Sequence, residues 1–139
     1  MTVLDTDIFS DIMKDVPSAL ARLATIPADE QAIAVVTVEE VMRGQLAAIR
    51  SAETRKGGAQ LPVVYEFFTQ HLGDLATYRI LPYTPVAHTL FLAWRAAKIR
   101  VGTQDLRIAA IASAHNATLV TRNARDYQLV PRLALDIWN

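Results

Sequence analysis

Five short apolar runs recur along the chain, each separated from the next by a stretch with helical spacing. This alternation does most to limit what the chain can fold into. The runs are residues 2–5, 33–37, 79–82, 117–121 and 133–138. Strands joined through helices cannot form hairpins, so they lie parallel, with helices on both faces of one sheet. The second run, Ile-Ala-Val-Val-Thr, is nearly all apolar and rich in β-branched residues, as a strand covered on both faces should be. Pro17 and Pro27 punctuate the helical segments 8–14 and 18–26. The next helix carries Val38, Val41, Met42, Leu46 and Ile49 on one stripe, and residues 63–75 carry Val64, Phe67, Phe68 and Leu72 on one face. Pro85 suits the first turn of a helix running to about Arg100, and residues 103–116 form another. Between the third and fourth helices, residues 51–62 with Arg55-Lys56-Gly57-Gly58 are too few for a domain boundary and read as the turn of a helical hairpin. The expectation is one α/β domain over residues 1–139.

Hydrophobic residues make up 52% of the chain, which excludes a disordered protein. With no cysteine there is no disulfide scaffold, no thiolate nucleophile and no zinc site with cysteine ligands. Asp5 and Asp7 follow the first apolar residues at once, which is not the pattern of a signal peptide, and no apolar run approaches the ~18 residues of a membrane span. A soluble, cytoplasmic protein with no membrane partner is expected. The net charge is zero but unevenly spread. Residues 1–40 hold Asp5, Asp7, Asp11, Asp15, Asp29, Glu30, Glu39 and Glu40 against Lys14 and Arg22. Residues 95–132 hold Arg95, Lys98, Arg100, Arg107, Arg122, Arg125 and Arg132 against Asp105 and Asp126. An acidic half can hold cations and a basic half can meet phosphate.

In parallel sheets ligands bind beyond the carboxyl ends of the strands, so the residues there carry the functional question. The first run closes on Asp5, an acid with no packing reason to end an apolar strand. The second ends at Thr37, with Glu40 one turn on; Asp105 opens the helix leading into the fourth; Thr121 ends the fourth and leads to Asn123 and Asp126. Singly, each acid has a plainer role: Thr37-x-x-Glu40 fits a capping box, Asp105 follows a candidate cap at Thr103, and Asp126 can be a turn residue. Jointly, they converge on one sheet edge, where carboxylates repel unless a cation lies between them. All-oxygen sites suit magnesium or manganese, which can activate a water for attack on a phosphodiester. Gly44 and Ala109, each four residues after an acid, would leave room beside it.

Val3-Leu4-Asp5-Thr6-Asp7, Glu40-Val41-Met42-Arg43-Gly44, Gly102-Thr103-Gln104-Asp105 with Ile108-Ala109-Ala110-Ile111-Ala112, and Leu119-Val120-Thr121-Arg122-Asn123-Ala124-Arg125-Asp126-Tyr127 resemble the motifs of PIN-domain ribonucleases, and more narrowly those of VapC-type toxins. The resemblance covers nearly the whole chain. It implies a three-layer α/β/α fold around a parallel five-stranded sheet and a Mg2+- or Mn2+-dependent endoribonuclease, with transfer RNA as the leading substrate. It also implies a homodimer and an antitoxin partner whose peptide covers the acidic cleft. On that pattern Asp5, Glu40, Asp105 and Asp126 are the catalytic, metal-binding quartet, supported by Thr121 and Asn123. Asp7 departs from the pattern, which more often has Asn there.

Arg122 and Arg125, beside Asp126, are candidates for holding RNA phosphate. Asp5-Thr6-Asp7 also resembles the signature of haloacid-dehalogenase-like phosphatases, with Asp5 as nucleophile and Asp7 as acid. A catalytically silent PIN fold that binds RNA or an antitoxin is the non-enzymatic alternative. His71, His88 and His115 share no ligand spacing, and Trp94 and Trp138 read as packing residues.

Overall fold

The computed structural model describes residues 1–139. The elements are β1 (Thr2–Leu4), α1 (Thr6–Met13), α2 (Pro17–Leu23), β2 (Gln31–Ala34), α3 (Val35–Thr54), α4 (Leu61–Ala76), β3 (Arg79–Leu81), α5 (Pro85–Ala96), α6 (Thr103–Ala114), β4 (Thr118–Thr121), α7 (Ala124–Tyr127) and β5 (Leu135–Ile137). All four strand pairings are parallel, in the order β3-β2-β1-β4-β5. The chain builds outward from β1 to β3 and then returns to lay β4 and β5 on the other side of β1. The switch point, where a crevice opens at the strand ends, therefore lies between β1 and β4.

Successive strand residues face opposite sides, which makes three layers. Val3, Ala32, Ala34 and Leu119 enter one core with Leu106, Ile108, Ala109 and Ile111 of α6 and Ala87 and Trp94 of α5. Leu4, Ile33 and Val120 enter the other, with Ile8, Phe9 and Ile12 of α1 and Trp138. The expected three-layer α/β/α fold with a parallel five-stranded sheet is what forms, and both tryptophans are buried.

Three local expectations need correction. The second run does not stay extended to Thr37: β2 ends at Ala34 and α3 starts at Val35. Its β-branched residues suit a strand, but β1 stops at Leu4, which pairs with Ile33, and β3 stops at Leu81, which pairs with Ala34, so no neighbour remains to extend the ladder. Residues after β4 form the short helix α7 where only a turn was expected. On α4, Phe67 and Leu72 are 51% and 43% exposed, because this helix packs chiefly on α3 and buries only Leu75. The α3–α4 connection is the expected hairpin; Lys56, Gly57 and Gly58 all have positive φ, where glycine carries no steric penalty.

Gly44 serves no tight helix crossing, since a Cβ built there meets nothing within 4 Å. Glycine in an exposed helix interior costs about 1 kcal/mol relative to alanine. Gly44→Ala should therefore raise the midpoint of urea unfolding by the equivalent of about 0.5–1 kcal/mol. A lower midpoint would show that something else approaches this face.

Candidate active site

The sheet register brings the first pair of functional side chains together. Leu4 pairs with Val120, so Asp5 and Thr121 leave adjacent strands side by side, and the Asp5 amide donates to the Val120 carbonyl at 3.0 Å. Asp5 is the N-cap of α1: its Oδ1 accepts from the Ile8 amide at 2.9 Å. Its Oδ2 accepts from the Thr121 hydroxyl in a short contact. The Thr121 hydroxyl in turn accepts from the Asn123 amide at 2.9 Å, which ties the turn after β4 to the same point. Asn123 caps α7 through its Oδ1, accepting from the Asp126 amide at 3.3 Å, and its Nδ2 donates to Asp126 Oδ2 at 3.1 Å. Thr121 and Asn123 thus orient Asp5 and Asp126 respectively.

Glu40 arrives from the other side, two turns into α3, and the capping-box expectation fails. The N-cap of α3 is Ala34, which leaves Thr37 inside the helix. Glu40 Oε1 accepts instead from the Thr6 hydroxyl at 2.6 Å, and Thr6 lies 3.1 Å from the Thr37 hydroxyl. A hydroxyl has one proton to give. With that of Thr6 committed to Glu40, Thr37 donates to Thr6. The fully buried Thr37 therefore helps fix Glu40, but through tertiary contact. Thr6 is the one functional side chain here that the motifs do not single out; its hydroxyl between Asp5 and Asp7 is the signal the sequence offers.

Asp105 stands in the first turn of α6, whose N-cap is Gly102 and not Thr103. The Thr103 hydroxyl accepts from Arg95 at 3.0 Å. Ala109 is fully buried in the core, so it packs the helix and does not leave space at the acid. Tyr127, which follows Asp126, is also fully buried, and its hydroxyl has no hydrogen-bond partner. Burial first, and then the charges of Asp105, Asp5 and Glu40, hold that phenol protonated well above its ordinary range. The Asp105 carboxylate is close enough to be stabilised by the hydroxyl, yet no acceptor has bonding geometry. An unpaired buried hydroxyl costs about 1–3 kcal/mol. Tyr127→Phe should accordingly raise the melting temperature of the protein held in chelator; a fall would show that the hydroxyl is paired in solution.

The acids are electrostatically coupled. Asp5 is pushed up to about 6, mainly by burial and further by Asp7 and Asp105, against the lowering effect of its bonds to Thr121 and Ile8. Burial also raises Glu40, with Asp105, Asp7 and Glu39 adding to the rise and Thr6 opposing it. Burial raises Asp105, with Asp7 and Asp126 adding to it. The salt bridges of the molecule are Arg22–Asp136, Arg43–Glu39 and Arg122–Asp11, so none neutralises Asp5, Glu40, Asp105 or Asp126. Arg122, expected to meet phosphate, is paired with Asp11 at 3.3 Å, whereas Arg125 is exposed and enters no salt bridge.

No three carboxylates or imidazoles are spaced to hold one ion together directly. The donor set nevertheless fits a hard cation. Magnesium retains several waters and is commonly held by one or two carboxylates, so acids on one crevice can share it through water. His71 and His115 bond back to carbonyls of their own helices and His88 to Tyr83, so the histidines contribute nothing to this crevice.

The molecule is a parallel α/β/α sandwich whose acids near the β1/β4 switch point enter no salt bridge. No protein-family model matches the chain. Over 39 residues, 28% of this chain and 29% of the relative, it is 46% identical to Ribonuclease VapC2 of Rickettsia felis; the match spans under a third of that protein. Whole-chain similarity comes from solved structures. A chain of a toxin–antitoxin complex from Klebsiella pneumoniae matches with TM-score 0.72 and 23% identity, covering 96% of each chain. A chain of VapBC2 from Rickettsia felis, solved bound to a promoter DNA fragment, matches with TM-score 0.66 and 23% identity over all of both chains. A chain of VapBC-5 from Mycobacterium tuberculosis matches with TM-score 0.60 and 28% identity, covering 98% of this chain and 95% of that one. The chain has the fold of VapC-type PIN domains.

Proposed function

We propose that this protein is a divalent-metal-dependent endoribonuclease, the toxin of a type II toxin–antitoxin pair, acting on RNA with transfer RNA as the leading substrate. The observation that carries the reading is the uncompensated acidic crevice. Asp5, Glu40 and Asp105 are raised by burial and by the charges of neighbouring acids, Asp7 acting on all three, and no Lys or Arg forms an ion pair with them or with Asp126. The local likeness to a VapC ribonuclease and the whole-chain likeness to toxin–antitoxin structures support the same reading.

In this reading Asp5, Glu40, Asp105 and Asp126 hold Mg2+ or Mn2+, in part through water. When bound, such an ion polarises a phosphoryl oxygen and lowers the pKa of a coordinated water. The chain's own groups do the rest. Thr121 and the Ile8 amide fix both Asp5 oxygens, the Thr37–Thr6 relay fixes Glu40, and Asn123 fixes Asp126. Glu40, raised by burial, is suited to take a proton from the attacking water, and exposed Arg125 is placed in sequence to meet the RNA backbone. The half-exposed Val63, Tyr65, Phe67 and Leu72 of α4 support association, with a second copy or an antitoxin peptide as occupants.

The test is cleavage of RNA, transfer RNA included, with added Mg2+ or Mn2+ and with chelator. Activity that survives exhaustive chelation would overturn the metal-dependent reading. The absence of three directly converging ligands favours a second reading, a silent PIN fold that binds RNA or an antitoxin. Titration with Mn2+ that leaves the melting temperature unchanged would favour that alternative.

A further inference from the structure

We propose that the cleft between the start of α3, the turn after β3 and α6 is a subsite for one unpaired nucleotide of single-stranded RNA, its base against the Tyr83–His88 aromatic pair and its phosphate on Arg107. The inference rests on the ribonuclease reading and deepens it. Val35, Val36, Glu39, Tyr83, His88 and Arg107 line a cleft of about 360 Å³, near the small end of ligand pockets. It adjoins the acids through the backbone, because Glu39 neighbours Glu40 on α3 and Arg107 lies two residues beyond Asp105 on α6. The two helices are pinned beside it, with Gln104 Nε2 donating to Glu39 Oε1 at 2.8 Å and Arg107 Nη1 donating to Gln104 Oε1 at 2.9 Å.

The chemistry of the lining suits a flat, anionic ligand. The Tyr83 hydroxyl and His88 Nδ1 are 2.9 Å apart, with the two rings edge to face at 5.6 Å. His88 in turn stacks on Phe91, 6.3 Å away at 11°, so the exposed imidazole is held by its neighbours before any ligand arrives. The Arg107 guanidinium lies 5.5 Å from the Phe91 ring centroid and enters no salt bridge, leaving its charge available. Aromatic side chains beside a guanidinium free of any ion pair suit single-stranded RNA, since unstacked bases transfer their stacking to the protein. The position also answers an electrostatic difficulty: the acidic crevice repels the RNA backbone, and an unpaired cation beside it holds a neighbouring phosphate. A duplex keeps its bases stacked and cannot present one to so small a cleft.

The full-length chain carrying Asp5→Asn, so that cleavage does not consume the probe, should be titrated with a labelled single-stranded oligoribonucleotide and with the same sequence as a duplex. His88→Ala and Tyr83→Ala should each weaken single-strand binding about tenfold, while Tyr83→Phe, which keeps the ring, should stay within about twofold. Arg107→Gln should weaken binding about tenfold and lower the log–log salt slope by about one, and Arg107→Lys should retain the slope. In the chain with Asp5 intact, His88→Ala should raise KM and leave kcat within about twofold. Circular dichroism identifies variants that fail to fold; His88 is exposed, so His88→Ala carries the test where Tyr83→Ala or Arg107→Gln does not fold. Unchanged binding by His88→Ala and Arg107→Gln, in a parent that cleaves RNA, overturns the subsite and leaves the ribonuclease reading standing. A duplex bound as tightly and lost equally in the variants also overturns it, as does an effect confined to antitoxin binding. A parent that neither binds nor cleaves RNA overturns both.

Discussion

Replacing Asp5 with Asn should abolish RNA cleavage and at the same time stabilise the metal-free protein. Asp5 is 4% exposed, closes β1 at the switch point and is pushed up to about 6, chiefly by burial. Because its folded pKa lies above the unfolded value of 3.8, the folded state binds more protons between about pH 4 and pH 6. The contribution of this group to stability is thus greatest below pH 4, falls as the pH rises through 6, and stands at its least favourable at neutral pH. One pKa unit corresponds to about 1.4 kcal/mol, so the penalty at pH 7 without metal is on the order of 3 kcal/mol. Asn is nearly isosteric, and its carbonyl oxygen can still accept from either the Ile8 amide or the Thr121 hydroxyl. In chelator, Asp5→Asn should therefore melt higher than the parent at pH 7, and the difference should vanish near pH 4. Adding Mn2+ should raise the parent's melting temperature and leave that of the variant nearly unmoved. Cleavage should fall by at least ~100-fold. A variant that melts lower at pH 7, or that still responds to Mn2+ as the parent does, would show that Asp5 is a helix cap and no more.

The two roles of Asp5 also show why the sequence was informative here and less so elsewhere. Strand, helix and strand order was legible because the inner residues of β1, β2 and β4 (Val3, Leu4, Ala32, Ile33, Ala34, Leu119 and Val120) are buried and apolar. An acid at the end of such a run is therefore conspicuous. The helix boundaries near the site were less legible because tertiary pairing decides them. Val35-Val36-Thr37 has strand propensity, yet it turns helical where the neighbouring strands run out. Thr37-x-x-Glu40 has the letters of a capping box one turn too far into α3. The Thr6–Glu40 bond and the Glu39–Gln104 link join residues distant in the chain, so no local spacing announces them. The charge asymmetry was real but partly answered within the fold, since Arg122 of the basic half meets Asp11 of the acidic half. What remains unanswered by any cation is the acidic crevice.

Glu40→Gln should lower cleavage by at least ~100-fold while the fold is kept, because the side chain that holds Glu40 in place does not need its charge. The Thr6 hydroxyl donates to Glu40 Oε1 at 2.6 Å, and a glutamine oxygen accepts the same bond. Thr37 continues to donate to Thr6, so the relay behind the site survives. Ala34 is the N-cap of α3 and has no side-chain cap bond, so no helix cap is lost with the carboxylate. Glu40 is raised by burial and then by Asp105, Asp7 and Glu39, so neutralising it relieves repulsion. Unfolding in chelator should then cost the same as in the parent or up to about 1 kcal/mol more. The amide can neither take a proton from an attacking water nor offer a negative charge to a cation, and this is where the rate is lost. Glu53→Gln is the control: it lies on the same helix, is exposed, and takes part in no side-chain hydrogen bond or salt bridge. Binding of single-stranded RNA to the Glu40 variant should match or exceed that of the parent, since a negative charge has left the crevice. Near-parental cleavage by Glu40→Gln, or a loss of stability large enough to account for its inactivity, would show that Glu40 supports α3 against α1 and stands outside the chemistry.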